Sequence, residues 1–295
     1  MAKAFIGTSG WVYDDWWGRF YPPNLKPEER LEHYAKSFDT VELNASFYHL
    51  PRKKTFENWA KKTPREFVFA VKISKYITQN LKLKNALAPT KLFLQEASGL
   101  GNKLSVVLVQ LPPNFGANKE RLENFLKVLS NGFGLTTATF QTCAPTESGS
   151  PRLLIKATKN SEERMESGLA QTGEKTAGSQ NLIRLPRFAF EFRHESWLNE
   201  EIYGLLRKYS AGFVIQDSVH WPTAEVVTSG FVYLRFHGPG ALYSSNYPDP
   251  QLKRWAEKIK KWLSEGLDVY GYFNNDVNAF AVHNALKLRD LVSKA

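Results

Sequence analysis

Residues 188–194, Phe-Ala-Phe-Glu-Phe-Arg-His (FAFEFRH), decide how the rest of the chain is read. In an extended backbone successive side chains point to opposite faces. Phe188, Phe190 and Phe192 then share one face, while Ala189, Glu191 and Arg193 share the other. The phenyl face packs under helices. The other face carries charge at its C-terminal end and must line an interior that can hold it.

Working outward, seven more short apolar runs end in the same way. Strand candidates are 4–7, 40–44, 67–73, 104–111, 188–193, 212–216, 231–237 and 268–274. Their ends carry Thr8 and Ser9, Glu42 and Asn44, Lys72, Gln110, Glu191 and Arg193, Asp217, Arg235 and His237, and Asn274. Helical patterns fall between them at 27–38, 52–62, 89–100, 119–129, 198–209, 250–264 and 279–292. Eight strand–helix alternations argue for a parallel sheet that closes on itself. The expected fold is α/β, a TIM-barrel-like (β/α)8 whose polar strand ends mark a site at the C-terminal face. The sixth connection, 218–230, holds Pro222 and is short and broken, so its helix should be weak or missing.

One segment breaks the rhythm. Residues 134–184 are crowded with Ser, Thr, Gly, Glu and Lys, with no aromatic residue between Phe140 and Phe188. Such a composition buries too little apolar surface to offset its ordering entropy. It is expected to be a flexible insertion after strand four, inside a single domain spanning 1–295. Within it, 153–155 could add a short strand.

Of the 295 residues, 42% are hydrophobic and 14% aromatic, enough for one large core. No apolar stretch approaches the roughly 18 residues that cross a bilayer, and the N-terminus lacks a signal-like apolar region. No membrane association is expected. The lone Cys143 excludes an intrachain disulfide framework and, with the N-terminus, points to the cytoplasm. The net charge of +10 favours anionic partners, either small molecules or nucleic acid. Oligomeric state is not legible.

Parity extends to other strands. Glu42 and Asn44 oppose Val41 and Leu43; Tyr233, Arg235 and His237 oppose Val232, Leu234 and Phe236; Tyr270, Tyr272 and Asn274 oppose Val269 and Phe273. Glu42, Lys72, Glu191, Arg193, Arg235 and His237 thus form a partly buried charged cluster. Buried ions require partners, water or a ligand. Two readings follow: a self-satisfied Glu–Arg network plugging the barrel, or a working site.

The motifs 7–22 (GTSGWVYDDWWGRFYP), 41–51 (VELNASFYHLP), 190–197 (FEFRHESW), 233–238 (YLRFHG) and 272–276 (YFNND), followed by Asn284 and Ala285, resemble the YecE-like family of uncharacterised barrel proteins. These six colinear motifs run from the first strand to the last helix. The resemblance implies a TIM-barrel-like fold and supplies no reaction. After strand three that family tends to carry a His following Ile-Thr or Ile-Ser. This chain has Gln79 after Ile77 and Thr78, so a role for that His does not transfer.

The residues suggest roles. Gly7 to Trp11 (GTSGW) is a glycine-bracketed turn that either cradles an anion, helped by Thr8 and Ser9, or merely bends the chain. The aromatics Trp11, Tyr13, Trp16, Trp17, Phe20 and Tyr21 either stack a ligand or pack as a lid over the rim. Glu42 and Glu191, three strands apart, suit paired-carboxylate chemistry, with Asp217 as a third candidate. Arg193 beside Glu191 favours an ionised carboxylate, hence a base or nucleophile. His237 is the proton-transfer candidate. Lys72, Arg193 and Arg235 are candidate anion ligands; Thr8, Ser9, Trp11, Asn44, Gln110, Tyr272 and Asn274 complete the expected binding set. Beyond Lys72, a basic loop with Lys75, Lys82 and Lys84 could guide an anion to the mouth.

No HExxH, Cys pair or dinucleotide glycine fingerprint is present, so no cofactor and no metal ligand set is predicted. A divalent ion assembled from Glu42, Glu191, Asp217, His194 and His237 stays open. The resulting expectation is a cofactor-independent hydrolase or lyase acting on a small anionic or polyhydroxylated (sugar-like) substrate. The alternatives are a nucleic-acid-binding or phosphodiester-acting protein, and a ligand-binding barrel without catalysis.

Overall fold

The computed structural model describes residues 1–131 and 186–294. The expected insertion 134–184, with Cys143, lies outside the described residues. Eight strands, β1 (Ala4–Thr8), β2 (Thr40–Leu43), β3 (Val68–Lys72), β4 (Leu104–Gln110), β5 (Arg187–Glu191), β6 (Gly212–Asp217), β7 (Phe231–Phe236) and β8 (Asp268–Phe273), pair in parallel in the order β1-β8-β7-β6-β5-β4-β3-β2. Helices α1 (Arg30–Tyr34), α2 (Ala45–Tyr48), α3 (Lys53–Lys61), α4 (Leu87–Ala97), α5 (Lys119–Asn131), α6 (Glu200–Lys208), α7 (Asp249–Ser264) and α8 (Phe280–Ser293) join them. The barrel is nearly closed.

The open seam between β1 and β2 is bridged rather than laddered. A single bridge pairs Ser9 with Glu42. Below it the Tyr34 hydroxyl accepts from Thr8 N–H at 3.1 Å and donates to Thr40 O at 3.0 Å, replacing a backbone pair with a side chain. Gly7 makes the close approach feasible, because a Cβ there would sit 2.5 Å from Thr40 O.

The outer faces of the strands pack as parity demands. Phe190 and Phe192 stack with centroids 6.3 Å apart, and Phe192 stacks on Trp197 at 4.9 Å. Helix α7 buries Leu252, Trp255, Ala256, Ile259 and Trp262, the 3–4 spacing of one apolar stripe. Helix α6 starts on Asn199, whose side chain accepts from Ile202 N–H, with Glu200 and Glu201 in its first turn and Arg207 and Lys208 in its last. That placement suits the helix dipole.

Two elements depart from the expected pattern. The first helix is cut to Arg30–Tyr34 after a 3-10 turn at Pro27–Glu29. A short extra helix, α2, follows β2. As expected, the sixth connection carries no helix: residues 218–230 run as an irregular strap. It is held by Thr228, whose hydroxyl accepts from Phe213 N–H (2.8 Å) and donates to Ala211 O (2.7 Å).

The bore is filled in two zones. Its lower part is apolar, formed by Ala70, Val106, Leu108, Ala189 and Val214 with the rings of Phe231, Tyr233, Tyr270 and Tyr272. An ion pair of Arg187 with Asp268 (2.8 Å) closes the N-terminal end, and a larger charged cluster gathers at the C-terminal ends above the apolar zone.

Candidate active site at the barrel mouth

Arg235 is the hub. Its guanidinium is 1% exposed and bridges both carboxylates: Nη1 donates to Glu191 Oε2 at 2.5 Å and Nη2 to Glu42 Oε1 at 2.7 Å. Glu42 also accepts from Ser9 Oγ (2.5 Å) and Tyr233 OH (2.7 Å), and Glu191 from Arg193 Nε (2.7 Å). Glu42 and Glu191 are fully buried. Two carboxylates and two guanidinium groups cancel, and such a chain of charge-assisted bonds offsets the desolvation of its members. Burial alone would raise the Glu191 carboxyl, but the Arg235 and Arg193 charges overcome this and hold it far below the usual carboxylate range. The same carboxylates drive the Arg235 guanidinium upward against its own burial. This core of the cluster is a network, with every charge matched.

Around it lie groups without such matching. Lys72, 8% exposed, ends β3 with its ammonium 3.9 Å from the Phe47 ring centroid. Burial, reinforced by the Arg235 charge, brings its amine down to about 7. His237 is fully buried. Burial and then Arg235 push its imidazole well below the ordinary value, so the ring is neutral. Asn274 Nδ2 lies 3.4 Å from His237 Nδ1. Asp276, just past β8, is pushed up to about 8 by burial, although the Tyr13 hydroxyl and Arg235 oppose the shift. Tyr13 itself donates to Ser9 O. On the β5 side the Arg193 guanidinium lies 4.5 Å from the Trp221 ring centroid.

Unpaired polar atoms gather at the same end. Among the described residues ten buried side-chain N or O atoms lack a protein hydrogen-bond partner. Seven of them (on Asn44, Gln216, Trp221, Arg235, His237, Asn275 and Asp276) lie at or just beyond C-terminal strand ends. Buried polar groups are normally satisfied, so this concentration sets the C-terminal end apart from the rest of the barrel.

The structure thus brings together Ser9, Glu42, Lys72, Glu191, Arg193, Arg235 and His237, with Asn44 and Asn274 at the rim. Other expected residues point elsewhere. Asp217 Oδ2 accepts from Trp255 Nε1 (2.6 Å) and Gln251 Nε2 (3.1 Å), so its carboxylate faces α7 outside the bore. Strand parity explains this, since Gln216 holds the inward position beside Arg235. The Thr8 hydroxyl is tied to Tyr34 OH (3.0 Å) and Gly10 O (2.6 Å) at the seam. Trp11 packs edge-on against Trp59 of α3 at 5.5 Å. Tyr272 lies deeper, bonded to Thr40 Oγ1 at 2.7 Å. Gln110 bonds only locally, to Leu111 O. His194 faces Ser196 instead of the cluster. Trp16 and Tyr21 are buried against Tyr34 and Phe20, so the aromatic-rich segment is a packed wall. Sequence reading passed over Tyr233, Gln216 and Asp276 as site residues, and weighed Tyr13 only as a stacking or lid aromatic.

Among the described residues no three His, Cys, Asp or Glu side chains are placed to hold a metal ion, and no helix is long and apolar enough to cross a membrane.

Comparison with known proteins agrees with this architecture. A crystal structure of a DUF72 family protein from Thermotoga maritima MSB8 superposes with a TM-score of 0.68 at 25% identity, covering 99% of this chain and 100% of that one. A DUF72 family protein from Enterococcus faecalis V583 gives 0.69 at 19% identity, covering 99% and 96%, a likeness of fold. The UPF0759 protein YunF of Bacillus subtilis (strain 168) is 33% identical over 132 residues, 40% of this chain and 43% of the relative. The UPF0759 protein YecE of Escherichia coli (strain K12) is 31% identical over 104 residues, 35% and 38% of the two chains. Each match spans less than half of the curated relative's length. The family described as "Protein of unknown function DUF72" matches residues 5–295, and the chain belongs to that family of TIM-barrel-like proteins.

Proposed function

We propose that the protein is a cofactor-independent enzyme of hydrolase or lyase type, acting on a small anionic or polyhydroxylated substrate at the barrel mouth. The observation that carries this reading is the concentration of unpartnered polar atoms at the C-terminal strand ends. The network of Glu42, Arg235 and Glu191 is the rigid floor on which the reacting groups stand. Lys72 and His237, neutral or nearly so, are the proton acceptor and proton carrier, and Asp276 retains a proton for donation near neutral pH. Arg193, half-seated on Trp221, with Asn44 and Asn274, orients the substrate. A paired-carboxylate glycosidase is less well supported, because Glu42 and Glu191 are locked on one guanidinium.

The test is thermal stabilisation against a panel of phosphometabolites, sugars and carboxylates, with Arg193→Ala as control. A small-molecule shift lost in the variant supports the reading. No shift with any member, or one unaffected by the variant, contradicts it.

One observation favours a second reading, nucleic-acid binding. Tyr48 and Tyr76, 62% and 54% exposed, stand at the end of α2 and at the start of the helical turn after β3, and Lys75 lies 5.6 Å from the Tyr48 ring centroid. Bases stack on such rings. Stabilisation by oligonucleotides alone, falling steeply with salt, would favour that reading.

A further inference from the structure

Lys72 is a lysine without a counter-ion at the centre of a charged cluster. Both carboxylates that could pair with it are already taken, Glu42 by Arg235 and Glu191 by Arg235 and Arg193. Its Nζ makes no hydrogen bond among the described residues and sits over the Phe47 ring. The backbone beneath is fixed, since Ser46 Oγ donates to Lys72 O at 2.7 Å. A lysine serving as a plain anion clamp is useful when hydrated and permanently charged. This one is held beside an arginine pair in a buried bore, where burial and those charges bring the neutral, nucleophilic amine within reach near neutral pH. Close by, Arg193 commits only Nε to Glu191, leaving its terminal nitrogens without protein partners among the described residues. The Trp221 ring holds its guanidinium plane in place.

We propose that Lys72 is an imine-forming amine, and that the mouth takes a small carbonyl compound bearing a carboxylate or phosphate, its anion on Arg193 and its carbonyl carbon at Lys72 Nζ. This rests on the reading that ligands enter at the mouth, and names the substrate class for that site. The lone pair of Nζ attacks the carbonyl carbon, forming a C–N bond while the C=O π electrons move to oxygen. Proton transfer from nitrogen to that oxygen and one further proton taken from solvent release it as water and leave a protonated C=N. The iminium then accepts the electron pair of a bond from the adjacent carbon to hydrogen or carbon; that bond breaks, and its far atom leaves without the pair, as a proton to solvent or as a carbonyl or CO2 fragment. Reprotonation of the resulting enamine and addition of water restore the amine. No oxidant, reductant or cofactor enters.

The experiment is reductive trapping with cyanoborohydride at pH 7 on the full chain, followed by peptide mass mapping. Probes are pyruvate (carboxylate arm), glycolaldehyde phosphate (phosphate arm) and neutral glycolaldehyde. The expected label, the probe mass less one oxygen, falls on Lys72 at least about tenfold above exposed Lys75 and Lys84. With Arg193→Ala, labelling by the better charged probe drops about tenfold or more, while glycolaldehyde still labels Lys72. Label spread evenly over surface lysines, or none on Lys72, overturns the proposal. Thermal shifts with the same probes separate the two claims. Stabilisation without label leaves the mouth as a binding site and removes the imine; neither stabilisation nor label refutes both. Lys72→Met, with an unchanged circular dichroism spectrum, should abolish the specific label.

Discussion

Replacing Arg235 by Met tests the claim that the floor of the site is a matched charge network. The side chain is 1% exposed and bonds two fully buried carboxylates at 2.5 and 2.7 Å. Met fills most of the volume, so what is lost is chiefly charge. Removing one partner of a buried ion group leaves an uncompensated charge, at a cost of about 3–5 kcal/mol. Here the variant retains Arg193 on Glu191, while Glu42 keeps only the Ser9 and Tyr233 hydroxyls. The expected loss therefore lies near the lower end, roughly 3 kcal/mol, or about 6–12 °C in Tm for a domain of this size. Urea unfolding read by tryptophan fluorescence measures it. The pH dependence adds a signature. Glu191 is a depressed carboxylate, so its contribution is present above the unfolded value of about 4.3 and fades as pH falls through its folded value. That contribution is already reduced in the variant, so the gap to wild type should narrow as pH drops from about 5 toward 2. Adding Glu42→Gln and Glu191→Gln to Arg235→Met should recover at least half the loss, because contacting members of one network are not additive. A loss under about 1 kcal/mol that is insensitive to pH would refute the reasoning.

Three further outcomes follow from particular contacts. Gly7→Ala places a Cβ 2.5 Å from Thr40 O and should cost about 1–3 kcal/mol in chemical denaturation, by prising β1 from β2. Lys72 has a folded value near 7, below its unfolded one, so wild type gains stability as pH rises from about 7 to 10; Lys72→Met should be more stable below pH 7 by on the order of 2 kcal/mol and lose that margin toward pH 10, as followed by thermal melts. Asp276 carries the opposite sign: its folded value near 8 means wild-type stability falls between about pH 4 and 8, and Asp276→Asn should flatten that slope.

The fold was legible because the period-2 pattern of FAFEFRH and its counterparts separates bore from outer layer without tertiary information. Glu42, Glu191 and Arg235 were readable for the same reason. Parity was also available for Tyr233 and Gln216, which share the inward faces of Arg235's own strand and its neighbour. Asp217 was misplaced because a strand-end position was taken as sufficient; its parity sends it to Trp255. Thr8 and Trp11 follow the same lesson at the seam and the rim. Asp276 and Tyr13 lie in loops, where alternation no longer applies and only tertiary packing aligns a side chain. Sequence could name the members of the charged cluster and offer a self-satisfied Glu–Arg network as one of two readings, but could neither choose between them nor foresee that Lys72 would be left alone. That depends on distances across the bore, and it is why the proposed reactive group is the amine and not a carboxylate.

The most direct measurement is the titration of Lys72 by NMR in protein carrying 15N-labelled lysine, with and without pyruvate and glycolaldehyde phosphate. The account predicts one lysine amine, absent from Lys72→Met, titrating near 7 and moved by a ligand that leaves the surface lysines unchanged. A Lys72 that titrates at the ordinary lysine value of 10.5, and ignores every ligand, would contradict it.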